Sequence, residues 1–303
     1  MHEPMITSSV AGQPAEASAL PMLPCPACGV SEFDFCFQKK GRDFWRCRGC
    51  GVEKQHPLPT SAELAAYYEA AYADGMYKTF VDADTMKRMT ADARLGQIRS
   101  LAKPGRWLDV GCANGVFVQS AANAGMAAEG IELSQEAVAL ARQRGIRATC
   151  ATIEGFGDAG SFDTLTAFDV IEHVIDQPRF LAEARRLLQP DGTLVLTLPD
   201  HGSLIRRLMG PRWYFYIPEE HLHYFNRDNM AKLLARCGFD PISIKGTFKP
   251  LSFAYALTQF QEYNPRIYRV LNAASALVPK ALQVRPIPLY IGEMLVVARP
   301  QAR

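Results

Sequence analysis

Two groups of residues in this chain are spaced for chemistry. Cys25-Pro-Ala-Cys28 and Cys47-Arg-Gly-Cys50 each hold two thiols two residues apart, with eighteen residues between the pairs. That interval lets both thiolates of a pair reach one ion from a single tight turn, and Gly29 and Gly51 permit the left-handed backbone just after each turn. Four thiolates leave no open coordination position, so the pattern reads as a structural zinc ribbon with Cys25, Cys28, Cys47 and Cys50 as ligands. The second group is Asp109-Val-Gly111-Cys-Ala113-Asn-Gly115, with Glu132 standing 21 residues after Gly111. Gly111 and Gly115 allow a tight turn and let a ligand approach the backbone without a Cβ in the way. A helix starting at such a turn aims free N–H groups and its positive dipole end at a negative group. A carboxylate at the tip of the following strand can accept both hydroxyls of a ribose. A dinucleotide fingerprint would need glycines where the chain has Gly111, Ala113 and Val116. Two of those three fail, which disfavours NAD and FAD.

The elements that must carry these residues follow from the apolar pattern. The run Trp107 to Val110 is a strand, Val116 to Ala124 a helix, and a second strand closes on Ile131-Glu132. Ser134 caps a helix to Arg144, Arg147 to Thr152 makes the third strand, and Phe162 to Phe168 the fourth. Pro178 to Leu188 is helical, and Pro190-Asp-Gly turns into a fifth strand, Thr193 to Leu198. Strands alternating with helices of this length imply a parallel sheet covered on both faces. Ahead of it, Ala83 to Leu101 is a helix, and residues 57–103 form a helical lid in which Tyr67, Tyr68, Tyr72 and Tyr77 crowd together. The ribbon occupies residues 24–56, and residues 1–23, rich in Ala, Ser and Pro without periodicity, read as a disordered tail.

Composition excludes several classes. Of 303 residues, 48% are hydrophobic, enough for a full core, and a formal charge of +2 gives no electrostatic case for nucleic acid. No apolar run approaches the length of a membrane span. The N-terminus lacks the basic start and apolar core of a secretory signal, so the eight cysteines suggest reduced thiols or metal and a cytoplasmic setting.

The stretches LDVGCANG, GIELS, FDTLTAFDVIEHV and LLQPDGTLVLTLPD stand in an order and spacing that resemble class I S-adenosylmethionine-dependent methyltransferases. The small-molecule branch that includes ubiquinone-type O-methyltransferases is the most similar, since its H-L-H-x-F segment matches His221-Leu-His223-Tyr-Phe225. The resemblance covers about Tyr67 to Arg299. It implies a Rossmann-like α/β fold whose seventh strand inserts antiparallel between the fifth and sixth. Pro241 to Gly246 would be the sixth strand and Gly292 to Arg299 the seventh, with residues 247–290 an apolar insertion, helical over Leu271 to Leu282. That insertion reads as a substrate cover, a dimer surface or simple core packing.

The resemblance also implies roles. S-adenosyl-L-methionine would lie with its methionine end on Gly111, Ala113 and Gly115 and its ribose on Glu132. Asp109 would organise the turn and meet the methionine amino group, and Phe168 and Asp169 would flank the transferable methyl. Methyl transfer is an in-line displacement, so positioning carries much of the rate. A hydroxyl acceptor needs a base, and His173 is the first candidate and His221 the second. His173 equally suits a loop histidine bonding backbone or Glu172, and only one of His221 and His223 should face the site. Asp200 and Glu220 are further carboxylates for an acceptor. A ribbon ahead of such a domain is similar to certain sugar C-methyltransferases, which points to a sugar or another small polar acceptor. The competing class is a partner-binding ribbon on an inactive fold, possible as a homodimer in either case.

Overall fold

The computed structural model describes residues 22–302 apart from 61, 65, 68–83, 253–264, 276 and 284. The expected tail, except for its last two residues, therefore lies outside the described residues, as do Tyr68, Tyr72 and Tyr77 of the expected lid.

Two sheets organise the chain. The smaller is antiparallel and contains β1 (Phe33–Lys39), β2 (Arg42–Cys47) and β3 (Glu53–His56), joined on the edge of β3 by a short distant strand, β9 (His223–Tyr224). The larger has seven strands in the order β10-β11-β8-β7-β4-β5-β6. These are β4 (Arg106–Val110), β5 (Ala127–Glu132), β6 (Ala148–Cys150), β7 (Phe162–Phe168), β8 (Leu188–Pro199), β10 (Phe239–Ser252) and β11 (Pro286–Pro300). Strands β4 to β8 pair in parallel, and β11 runs antiparallel between β8 and β10. This is the Rossmann-like sheet expected, including the reversed last strand.

Period-two burial explains why the sheet is covered twice. Leu194, Leu196 and Leu198 of β8 and Met294, Val296 and Ala298 of β11 point into one apolar cluster, while Val195, Leu295 and Val297 point into another. Each strand is thus apolar on both sides, which is how a parallel sheet between helices reads. On one face lie α4 (Gln177–Leu187) and α6 (Arg227–Arg236), whose Leu181, Ala184, Leu233 and Leu234 complete the first cluster. On the other lie α1 (Asp84–Ile98) and α2 (Val116–Asn123), with Leu95, Ile98, Phe117 and Ala121 in the second. Val138 and Ala141 of α3 (Gln135–Gln143) pack a third cluster near β6. Helix starts carry their caps: Ser134 accepts from the Ala137 N–H, Asp176 from Arg179, and Asn226 with Asn229 forms a reciprocal box.

Three elements differ from the sequence expectation. Strands β10 and β11 reach past Gly246 and start before Gly292, continuing their register from Thr247↔Glu293 to Ser252↔Pro286. The ends of the expected 247–290 insertion are therefore a pair of antiparallel strands, whose mixed exposure hides the apolar alternation that marks a core strand. The single helix expected over Leu271 to Leu282 is instead α7 (Pro265–Ser275) and α8 (Lys280–Gln283), because Pro279 disfavours helical backbone at the residue before it. The His221–Phe225 segment is not merely a lead into α6: it supplies β9.

The ribbon is thereby built into the larger body. Phe44 stacks on Phe37 (4.6 Å) and meets Tyr216 edge-on (5.3 Å), and Trp213, Tyr216 and Tyr224 bury the interface completely. Beside them the buried Glu53 carboxylate accepts from Arg46 Nε (2.9 Å), Arg206 Nη2 (2.9 Å) and Tyr216 OH (2.5 Å), with His201 Nε2 at 2.8 Å. A fully buried charge is tolerated only with partners of this number, and removing one is costly.

Candidate active site

The four cysteine sulfurs all lie within 4.8 Å of one another. Cys25 and Cys50 are 3.4 Å apart and Cys28 and Cys47 3.5 Å. Tetrahedral thiolates at a Zn–S distance of ~2.3 Å stand about 3.8 Å apart, so the set fits one zinc ion. Each turn closes the same way: the Gly29 N–H donates to Cys25 O and the Gly51 N–H to Cys47 O, both glycines at φ 77°.

At the other centre, β4 ends in the glycine turn and α2 begins from Gly115. Gly111 (φ 74°) and Gly115 (φ 76°) adopt the left-handed backbone. The space their missing Cβ atoms leave is filled by protein rather than left for a ligand. A Cβ on Gly111 would stand 2.7 Å from Val170 Cγ2, and one on Gly115 2.7 Å from Ile146 Cδ1. The glycines are thus required by the turn and by packing beneath it. Ala113 takes φ 47° without being glycine, a strained position of the kind found at ligand sites. Glu132 is held by the turn itself. Its Oε2 accepts the Ala113 N–H (3.0 Å), and its Oε1 accepts the N–H groups of Leu133 (2.7 Å) and Ser134 (3.1 Å). A carboxylate accepts about four hydrogen bonds, so capacity remains for a hydroxyl. Asp109 is buried at the base of the turn and accepts from Thr166 Oγ1 (2.6 Å). Burial pushes its carboxyl up to about 7, against the pull of Thr166 and Arg94.

A charged cluster lies at the carboxyl end of β7. Asp169, at φ 57°, receives Arg94 Nη2 (2.6 Å), Thr197 Oγ1 (2.9 Å) and Lys249 Nζ (3.3 Å). Burial works to raise Asp169, but Arg94 and Lys249 outweigh it and hold the carboxyl well below the usual range. The Arg94 guanidinium lies 4.7 Å over the Phe168 ring, and Lys249 also bonds Glu293 Oε1. Arg94, Lys249 and Glu293 escaped sequence reasoning. They come from α1, β10 and β11, and a lone charge on an amphipathic element carries no local signature of where it points.

Just beyond, a short 3-10 turn (Ile171–His173) brings Glu172 and His173 against His221. The two imidazoles meet edge to face with centroids 4.7 Å apart, and donor atoms of all three side chains lie within 4.8 Å of one another. His221 Nδ1 stands 2.8 Å from the Phe215 carbonyl, which can only accept, so this nitrogen carries the proton and Nε2 keeps its lone pair. His173 is tied to the backbone of Glu220. Burial pushes His173 down to about 3 and His221 down to about 4, so both rings are neutral near pH 7. Glu172 is 2% exposed, and among the described residues neither carboxylate oxygen has a hydrogen-bond partner. Burial, then the neighbouring Asp169, raise its carboxyl well above the ordinary range. His223 faces elsewhere, with Nδ1 2.7 Å from the Gln177 amide nitrogen. Asp200 is occupied by Arg227 Nε (2.9 Å) and the Gly202 N–H (2.9 Å), and Glu220 accepts from Tyr67 OH (3.0 Å).

Comparison with known proteins places this arrangement. A sequence profile described as a methyltransferase domain matches residues 83–244, more than half of the chain. A ubiquinone biosynthesis O-methyltransferase of Cereibacter sphaeroides is 28% identical over 167 residues, covering 50% of this chain and 68% of the relative. One from Roseobacter denitrificans is 28% identical over 179 residues, 53% of this chain and 72% of the relative. Among solved structures, a Burkholderia thailandensis 1,6-didemethyltoxoflavin N1-methyltransferase with bound S-adenosylhomocysteine superposes with a TM-score of 0.51 at 17% identity. It covers 89% of this chain and 100% of that one. A Haloferax volcanii methyltransferase in complex with the Trm112 activator gives 0.54 at 16% identity, over 81% of this chain and 100% of that one. The structural likenesses speak for the fold, and the profile spans the glycine turn, the acid at the tip of β5, and Arg94 and Asp169 of the β7 cluster. The chain therefore belongs to the methyltransferase-domain family and is an S-adenosylmethionine-dependent methyltransferase.

Proposed function

We propose that the enzyme methylates a hydroxyl of a small polar acceptor seated against Glu172, His173 and His221. One observation carries this reading: a carboxyl group buried to 2% exposure, with both oxygens unpartnered among the described residues, beside two neutral imidazoles. Leaving such a group unsatisfied costs about 1–3 kcal/mol, and a polar acceptor supplies the missing bonds. The relatives named above act as O-methyltransferases in ubiquinone biosynthesis, which favours oxygen as the acceptor atom. No relative among them supports the sugar expected from the ribbon.

On this reading the donor lies along the glycine turn. Glu132 accepts ribose hydroxyls, Asp109 faces the methionine amino group from below the turn, and Gly111, Ala113 and Gly115 border the chain between them. Phe168 and Asp169 flank the sulfonium, and Arg94 beside them offers its guanidinium to the methionine carboxylate. The acceptor oxygen attacks the methyl carbon in line as the carbon–sulfur bond breaks, releasing a neutral thioether. The hydroxyl proton passes to a ring nitrogen of His173 or His221. Alignment of donor and acceptor supplies most of the rate. The four cysteines hold zinc as a structural ion.

A second reading has its own support. Glu172, His173 and His221 have the donor set of a divalent-cation site, and backbone carbonyls fix the imidazoles as such sites require. A cation held there would acidify the acceptor hydroxyl.

The test is calorimetric titration with S-adenosylhomocysteine, followed by methyl-transfer assays on hydroxyl, amine and sugar acceptors. Glu172→Gln should abolish transfer and leave cofactor binding intact. Absence of S-adenosylhomocysteine binding by folded, zinc-loaded protein would sink the reading in favour of a partner-binding module. Mn2+ titration of the wild type and of Glu172→Gln separates base from cation.

A further inference from the structure

The ribbon strand β3 reaches the acceptor side of the site through one side chain. Gln55 is 1% exposed, and its amide nitrogen donates to both the Pro218 and His221 carbonyls, each at 2.7 Å. Its backbone N–H donates to Leu222 O (3.0 Å), and the Leu222 N–H in turn donates to Glu172 O (2.9 Å). Ahead of Gln55 the grip continues. Glu53 and Lys54 pair with Tyr224 and His223, and Glu53 holds Tyr216 and Arg206. Residues 215–224, which carry His221 and the carbonyls that orient both imidazoles, are thus bonded to the ribbon along their length. The cysteines flank this strand, since Cys47 ends β2 and Cys50 stands three residues before Glu53.

We propose that Gln55 is a positioning residue for methyl transfer: it fixes the 217–222 turn so that His221 and His173 present their rings to the acceptor, and the metal-bound ribbon holds Gln55 in place. This rests on the reading of Glu172, His173 and His221 as the acceptor side. The physical case is one of matched donors. A buried amide that satisfies two carbonyls of one turn sets the path of that turn, and losing it leaves two acceptors without partners in a dry interface. A ribbon serving only as a stabilising appendage has no need to send a side chain into this turn.

The experiment follows the imidazole ring resonances of the full, zinc-loaded chain by NMR, with S-adenosylhomocysteine titration in parallel. Gln55→Leu should move the His173 and His221 ring signals while zinc content and S-adenosylhomocysteine affinity stay at wild-type values. Phe35→Ala, which removes an edge-to-face contact with Trp45 on the ribbon (5.5 Å), should leave those signals in place. Once turnover is assayed, Gln55→Leu should lower kcat at least about tenfold with an unchanged KM for S-adenosylmethionine. If Gln55→Leu does not fold, the wild type stripped of zinc by a chelator replaces it and should show the same ring shifts. Unmoved ring signals in Gln55→Leu, or in the stripped wild type, would overturn the proposal. Failure of the wild type to bind S-adenosylhomocysteine would instead strike the functional reading beneath it.

Discussion

On the proposed reading, the donor and acceptor edges of this site are built in opposite ways. The donor edge is local: Asp109, the glycine turn and Glu132 come from one βαβ unit, and its key bond, Ala113 N–H to Glu132, spans nineteen residues. The acceptor edge is gathered from the whole chain. Glu172 and His173 meet His221 from a separate element, Arg94 and Lys249 converge on the adjoining Asp169 from two more, and Gln55 reaches in across 166 residues. A local site needs only its own turn to be correct, whereas a gathered one inherits every error in the packing that assembles it. The two edges should therefore fail separately.

The largest effect should come from removing the zinc proposed for the four cysteines. Structural zinc contributes on the order of 10 kcal/mol to the folding of small thiolate sites, so chelation or Cys47→Ser should unfold the ribbon. Methyl transfer should then vanish while S-adenosylhomocysteine still binds, read by circular dichroism and calorimetry together. Loss of both functions at once would show that the edges are not separable. Glu132→Ala makes the converse break. It removes the proposed ribose acceptor and frees three N–H groups, and should weaken S-adenosylhomocysteine by about a hundredfold or more, with zinc content unchanged.

Arg94→Ala probes the seam between the edges, because that guanidinium touches both Phe168 and Asp169. Cofactor affinity should fall by about tenfold or more, as for other charge-assisted bonds, and Arg94→Lys should restore only part of it. Asp109 sharpens the comparison through pH. Its carboxyl is raised to about 7 in the fold, so its contribution to stability is present at acid pH and fades as pH rises through 7. On the proposed reading the ionised form is the one that pairs with the cofactor's ammonium. Affinity should consequently rise as pH increases toward 7 and level off above it, and Asp109→Asn should flatten that slope in calorimetry. The smallest change expected is Ser134→Ala, which removes the cap of α3 and should cost ~1 kcal/mol of stability without altering either edge.

Legibility follows the same division. The succession of parallel strands and the glycine turn were readable because apolar runs and glycine spacing are short-range signals, whereas the reversed β11 followed from the family resemblance. Lys249 was not, since β10 was expected to stop at Gly246 and its outer half lacks a buried alternation. The histidines were readable as candidates, His221 ahead of His223, but that His221 meets His173 face to edge is visible only in the fold. His223 pairs with Lys54 in β9 and turns to Gln177, and in a strand its neighbours must face the opposite way. The ribbon itself was plain from its cysteines, yet its docking was not, because one strand of its sheet lies some 170 positions further on.

By itself, then, the sequence determined the elements whose causes are local: the cysteine turns, the glycine turn with its acid, and strands and helices marked by their own periodicity. Only the tertiary structure decided which charges meet at Asp169, which histidine faces its twin, and that β3 grips the loop carrying it. Those contacts join residues far apart in the chain, and they form only when packing and buried hydrogen bonds have chosen one arrangement from many.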